Sequence, residues 1–567
     1  MKKIQTYFVV SVILVCSQLL RYTYLIGQTS KTTPADTSKK TAQKLQPKEE
    51  RPKLELPDVL IYGTDRSVRV SGDKLDRSHE DVKLVAPIIK YQAATSESKV
   101  ENHKDYFQSQ KKGIDSRTVL QMDAGRFQQF NIEASQWRET KNYNYSLRGS
   151  YERSNGQYEN SQYYQGSIKA QLGIRLSSNF IISSRGNFRL FDYGLYGAQY
   201  ENLQRKTNGG KIKIDAHWSI TAEQSADFSV YFQQNHCKDD DANNYRSKLI
   251  ERNIELFSNY DIKFRSIPIF IRGLYEYQKL NKVTIDSVNS QKYIQLKSWS
   301  SFKVKQYFII KPGILFEHLD LNNSFSAYQF SPDIEIIVTP ITKFGILLKG
   351  TRGYYPVNYA NFCEKNPFIS HETDFIPVKK ELELKLGFEF HPASGVSLGS
   401  EVIRQNWKNY AFWSREAEVG LFQLSFLEKV TLTVFNFQSQ FTISPKIKFD
   451  AGVQINFDSI ENDSLAINDN YIPYLERFRF PFNFEYKINE TTQALLTFLW
   501  IGPRYVDLNN DEKLSNFGLL SFHFEKQLIK NLSVFVEGNN LLNQKYELWQ
   551  KYPGMGFYFE VGMKGNW

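Results

Sequence analysis

The chain has 567 residues, 71 Lys and Arg against 61 Asp and Glu, a formal charge of +10, and 15% aromatics within only 41% hydrophobic residues. No apolar run of about 18–20 residues occurs, which excludes a multi-helix membrane protein, and 42 Phe with 34 Tyr are too many aromatics for a disordered chain. The positive excess is spread along the sequence instead of forming one basic face, which excludes a nucleic-acid partner.

Residues 1–27 read as a secretory signal peptide. Met1-Lys2-Lys3 is a short basic region, an apolar core runs from Tyr7 to Leu20, and small or polar residues follow, with cleavage expected just after Gly27. A membrane anchor fits less well, because the stretch is short and Ser17-Gln18 interrupt it. A lipoprotein signal also fits poorly, because Val15 precedes Cys16 where a small residue is expected. Residues 28–115 begin with a linker of Lys, Thr, Gln, Pro and Glu that could bury no core. It leads into a strand-prone burst, Leu56-Pro57-Asp58-Val59-Leu60-Ile61-Tyr62-Gly63, and then into a mostly polar stretch with no sustained period.

From residue 116 to the end the pattern becomes alternation with period two, in stretches of about ten to sixteen residues separated by turns. In Glu381–Phe390 every even position is apolar and every odd one is charged or glycine. Ile447, Phe449, Ala451, Val453, Ile455 and Phe457 alternate with polar residues in the same way. Such contrast places one face against an apolar medium and the other against water. A soluble sandwich also alternates, but one this long would divide into domains with linkers, and none follows residue 116. The expected fold is therefore all-β, a transmembrane antiparallel β-barrel of about 22 strands over 116–567. Tight turns are expected at one end, as at Ser177–Asn179 and Ser444-Pro445. Long connections are expected at the other, among them 192–208, 237–246, 354–377, 458–472 and 542–554.

Motifs for chemistry are sparse. Gly395-Val396-Ser397-Leu398-Gly399 matches the nucleophile-elbow spacing but opens a strand instead of joining a strand to a helix. His236-Cys237-Lys238-Asp239-Asp240-Asp241 falls in an expected outer loop, and its spacing fits no metal-ligand template. Asp507–Glu512 lacks the glycine of a calcium loop and reads as a hairpin cap. Cys237 and Cys363 read either as a disulfide between outer loops or as two isolated thiols. No catalytic residue, resident metal or cofactor is expected, and the chain is not read as an enzyme.

The C-terminus carries the most specific pattern. Asn540-Leu541-Leu542-Asn543-Gln544-Lys545-Tyr546, then Pro553-Gly554-Met555, then an alternating strand with Phe557 and Phe559 ending on Trp567, resembles the C-terminus of TonB-dependent receptors. That family shows an N-L-L/F-N-K-x-Y stretch and a later P-G-R; Met555 stands here in place of the arginine. The resemblance implies a 22-stranded barrel in the outer membrane of a Gram-negative cell, with both termini periplasmic. It also implies a last strand read by the barrel-insertion machinery, and uptake or binding of a substrate that the sequence does not name. The family places a folded plug in its barrel, whereas residues 28–115 are too short for one, so a reduced or absent plug is expected. Leu56–Gly63 resembles a TonB box, which would make TonB a partner; the same stretch reads equally as a segment lying in the barrel mouth. Outer aromatics (Tyr193, Tyr196, Tyr354, Tyr355, Tyr359, Trp549) would capture substrate, or equally form an interfacial girdle, and Glu383, Lys385 and Glu560 would face the lumen. The alternative is a passive porin, or a structural barrel partnering a surface lipoprotein or secretion component.

Overall fold

The computed structural model describes residues 115–567 apart from short breaks, the longest at 241–245 and 463–466. The expected signal peptide, the linker and the Leu56–Gly63 segment lie outside the described residues.

The chain forms a closed antiparallel barrel of 22 strands. Each strand pairs with its neighbour in the sequence. Two short pieces, Phe302–Lys305 and Ile467–Asn470, only extend edges of that ring. The ring closes between the first strand, Asp115–Gly125, and the last, Tyr558–Asn566, in register from Val119 opposite Asn566 to Gly125 opposite Glu560. The terminal residue prolongs this seam: the Trp567 N–H donates to the Thr118 carbonyl (2.9 Å) and the Thr118 N–H to the Trp567 carbonyl (2.7 Å). An even strand number makes the two end strands antiparallel, so no edge is left open to lipid.

Period two becomes two surfaces. Ile214, Val230 and Leu256 sit side by side on three successive strands, all facing outward and about half exposed (47%, 48% and 46%). Leu384, Phe388 and Phe390 point outward on Val378–Phe390, while Lys385 between them is buried and pairs with Glu401. The inward face is a mesh of polar side chains. Lys311 binds Glu335 at 2.8 Å, the Gln278 amide donates to Glu251 at 2.7 Å, and Gln405 donates to Glu383 at 2.6 Å. Glu383, Lys385 and Glu560 thus take the inward positions read from the alternation.

Tight turns collect at one end, at 178–179, 445–446, 490–491 and 530–531, and long connections at the other, at 195–203, 356–377, 416–421 and 540–557. At the long-loop end several strands run further than the sequence indicates. In the connection expected at 237–246, the described residues 237–240 and 246 are all strand, because Gln224–Asp240 and Arg246–Phe264 stay paired to their ends. The reason is visible on the outer face. Beyond Phe232 the outward positions turn polar (Gln234, His236, Lys238, Asp240), so the strands leave the apolar layer and lose the contrast that marks them in the sequence.

A charge placed in the outer band should be costly. Leu256→Lys is expected to lower stability by about 2–4 kcal/mol if the row sits near the bilayer midplane, measured by reversible urea unfolding in lipid vesicles.

Candidate functional site

The long loops fold over the barrel mouth and pack against one another. Leu195 and Leu203, both fully buried, bracket the 195–203 loop, whose neck is closed by Leu195 N–H to Leu203 O at 2.8 Å. Across the mouth, the 356–377 connection carries the helix Tyr359–Lys365. Asn358 caps it by accepting from the Asn361 N–H (3.1 Å). Past the helix, Ile369 forms a parallel bridge to Phe422, and the Phe422 N–H donates to the Phe368 carbonyl at 2.9 Å.

Aromatic rings fill the space between the loops. Phe368 and Tyr552, both buried, stack with centroids 3.7 Å apart. Tyr196 meets both rings edge-on at 5.8 and 5.3 Å. Trp549 lies 5.4 Å from Trp413 and 5.2 Å from Phe422. Polar tips are satisfied by backbone carbonyls of other loops: Tyr193 Oη donates to Pro367 (2.8 Å), Tyr196 Oη to Pro553 (2.9 Å) and Tyr552 Oη to Gly420 (3.2 Å). Tyr193, Tyr196, Tyr359 and Trp549 are therefore lid-packing residues and not an exposed capture surface. Tyr355 remains partly exposed on the rim, edge-on to Trp407 at 5.7 Å.

Beneath the lid lies a buried polar knot. Arg205 forms a two-point pair with Asp239, Nε to Oδ1 and Nη2 to Oδ2 at 2.6 Å each, and its third donor reaches the Pro367 carbonyl at 2.8 Å. His371 on the 356–377 connection comes within 3.0 Å of Cys237 Sγ and 3.7 Å of Asp239 Oδ2 through Nε2. Its Nδ1 is 2.5 Å from Ser247 Oγ. Burial pushes the His371 imidazole down to about 4, against the pull of Asp239, so the ring is neutral at neutral pH. Cys237 and Cys363 are both unbridged thiols. The His236–Asp241 run is thereby reassigned: its first five residues are strand, not loop. Alternation sends Cys237 and Asp239 inward, with His371 supplied from far along the chain.

Comparisons with known structures match this architecture. The chain superposes on the FrpB iron transporter from Neisseria meningitidis with a TM-score of 0.66 over 82% of both chains, at 10% identity. It superposes on the siderophore receptor PiuA from Acinetobacter baumannii with a TM-score of 0.65 over 81% of this chain and 82% of that one, at 11% identity. The copper transporter OprC gives 0.64 over 80% of each, at 10% identity. The barrel has the fold of the TonB-dependent receptors. No protein-family model matches the chain. The pesticin receptor of Yersinia enterocolitica is 21% identical over 219 residues, 37% of this chain, and the match spans 31% of that receptor's length. These solved structures are named as receptors and transporters, and at 10–11% identity the likeness is one of fold.

Within this barrel, the C-terminal motif has a visible mechanical reason. Asn540 and Asn543 adopt left-handed backbone (φ 46° and 47°), which asparagine tolerates. The Asn540 amide donates to the carbonyls of Gln544 and Met555, both at 2.9 Å, and its oxygen accepts from the Gln544 N–H. Tyr546 lies over Gly554, where a Cβ would come within 2.1 Å of the ring, so only glycine fits. Leu541 and Leu542 stay exposed, and the Phe557 N–H donates to Asn543 Oδ1 at 2.9 Å. The motif thus folds the 540–557 connection so that Tyr552 and Trp549 reach the lid. Phe559 and Trp567 face outward on the last strand and Glu560 inward. Ser397 is the second residue of the strand Val396–Arg415, opposite Gln440.

Phe368→Ala removes a fully buried ring from the lid and is expected to destabilise it by about 3–5 kcal/mol. Limited proteolysis should then cut 356–377 and 540–557 faster while the barrel keeps its heat-modifiable gel migration. Arg205→Leu leaves the Asp239 carboxylate buried without its partner and is expected to loosen the lid by about 3–5 kcal/mol in the same assay.

Proposed function

We propose that the chain is an outer-membrane receptor and transporter, with the tight turns and both termini on the periplasmic side and the aromatic lid facing the outside. The observation that carries this reading is the lid. Loops from four parts of the barrel interlock over the mouth through stacked rings and cross-loop hydrogen bonds, an arrangement suited to gated passage and not to a permanently open channel. In this reading ligand contact loosens the loops, and the mixed-charge lumen wall, with Glu383, Lys385 and Glu560, conducts the substrate. The family resemblance supports iron or copper, free or as a chelate, as the substrate class, since the superposed relatives are named for such cargo. We assign Leu56–Gly63 as the segment that adds itself as a strand to TonB. The outward Phe559, Val561, Met563 and Trp567 of the last strand are assigned as the surface that the insertion machinery reads.

Planar-bilayer recording tests the gate: the purified chain is expected to be electrically silent, and a large steady current would overturn the receptor reading in favour of a porin. Deletion of residues 29–64 is expected to abolish growth on the transported nutrient while barrel assembly persists; unchanged growth would overturn the coupling to TonB.

A further inference from the structure

The polar knot under the lid contains more chemistry than a packing contact requires. Cys237, Asp239 and His371 each offer one ligand atom, and those atoms lie within 4.8 Å of one another, all on buried residues. Zinc–ligand bonds of 2.0–2.3 Å arranged tetrahedrally place neighbouring ligand atoms about 3.3–3.8 Å apart. The distances of 3.0 and 3.7 Å from His371 Nε2 to Cys237 Sγ and Asp239 Oδ2 need only a small opening of the first. The supporting contacts have the form that metal ligands take. Ser247 Oγ sits on Nδ1 of His371, so that a proton on Nδ1 donated to Ser247 leaves the Nε2 lone pair aimed at Cys237 and Asp239. Arg205 holds the Asp239 carboxylate in one orientation.

Charge selects the ion. Arg205 contributes one positive charge and Asp239 one negative. Glu251, on the adjacent strand, is a second buried carboxylate, accepting from Asn235 (2.9 Å), Gln278 (2.7 Å) and the Ala360 N–H (3.2 Å). A metal-bound Cys237 thiolate adds a third negative charge, leaving the pocket two negative. A divalent ion brings it to neutrality, and buried uncompensated charge is otherwise costly. A donor set of one sulfur, one nitrogen and one oxygen suits a borderline-soft ion.

We propose that Cys237, Asp239 and His371 form a site for a divalent zinc-type ion that clips the 356–377 connection to the wall strand Gln224–Asp240. Its position is outside the apolar band, since the outward neighbours of these strand positions are His236, Lys238 and Asp240. On binding, the Cys237 S–H bond breaks and its proton leaves to solvent as the metal–sulfur bond forms, with no change of oxidation state. The ion then adds a cross-link from Gln224–Asp240 to the connection, beside the contacts that the two flanking strands make to it through Arg205 to Pro367 and Ser247 to His371. The inference stands independently of the transport reading, because it concerns the purified chain alone.

The test uses the full chain in detergent with a thiol reductant that does not bind metal, titrated with Zn(II) against a competing chelator and with Co(II) as the absorbing substitute. One ion per chain is expected, with a thiolate-to-Co(II) absorption band. Binding should be lost in Cys237→Ser and in His371→Ala, and weakened by about tenfold or more in Ser247→Ala, the range for a group that orients a ligand. Glu251→Gln should also weaken Zn(II) binding by at least about tenfold, a 1.4 kcal/mol change; unchanged affinity would overturn the charge count. Absence of stoichiometric binding, or binding that survives both ligand substitutions, would overturn the site. Should the variants fail to show heat-modifiable migration, X-ray absorption of the Zn(II)-loaded wild type decides: a shell with one sulfur supports the site, and a shell without sulfur overturns it. Zn(II) should also slow protease cleavage within 366–377, and equal rates with and without the ion would overturn the clip.

Discussion

A bilayer supplies no hydrogen bonds, so every backbone N–H and C=O that crosses it must find a partner within the chain. Closure of the sheet on itself follows from that requirement, and the seam between Asp115–Gly125 and Tyr558–Asn566 is where it is met, down to the backbone pairing of Thr118 with the terminal Trp567. Once the ring is closed, the two faces of each strand are committed to opposite media. Ile214, Val230 and Leu256 then have lipid to face, and Lys385, Glu401, Glu251 and Gln278 have one another. Burying those polar groups is tolerable because they are paired across strands.

The mouth obeys a different rule. Above the lipid band the strands continue as a collar with polar outer faces, and the loops can no longer use alternation to organise themselves. They pack as a small soluble protein does, around a cluster of aromatic rings with tyrosine hydroxyls turned to backbone carbonyls of other loops. Phe368, Tyr552 and Tyr196 come from three different connections, so the lid is a tertiary object held by contacts between segments hundreds of residues apart. Its reinforcement by the Arg205–Asp239 pair puts a charged, geometrically demanding contact at the place where collar and lid meet.

The legibility of this molecule divides along the same boundary. Strands within the apolar band were readable: the alternation of Glu381–Phe390 lies within the strand Val378–Phe390 and ends with it. Strand ends in the collar were not, because both faces there are wet or packed and the contrast fades, as at Gln224–Asp240. The run His236-Cys237-Lys238-Asp239 shows the consequence. Read as a loop, its side chains have no common direction and no metal template fits. Placed in a strand, the same residues split into two alternating sets, and the inward pair meets a histidine more than a hundred positions away.

By itself the sequence determined the all-β barrel, its strand number, and which residues face lipid and which face the lumen, because all of these follow from a local period of two and from the lengths of the turns. The tertiary structure alone decided that Tyr193, Tyr196, Tyr359 and Trp549 close the mouth instead of standing open on it. It also decided that Cys237, Asp239 and His371 converge. Both outcomes depend on which loops meet across the ring, and no local pattern records an encounter between residues brought together only by closure of the barrel.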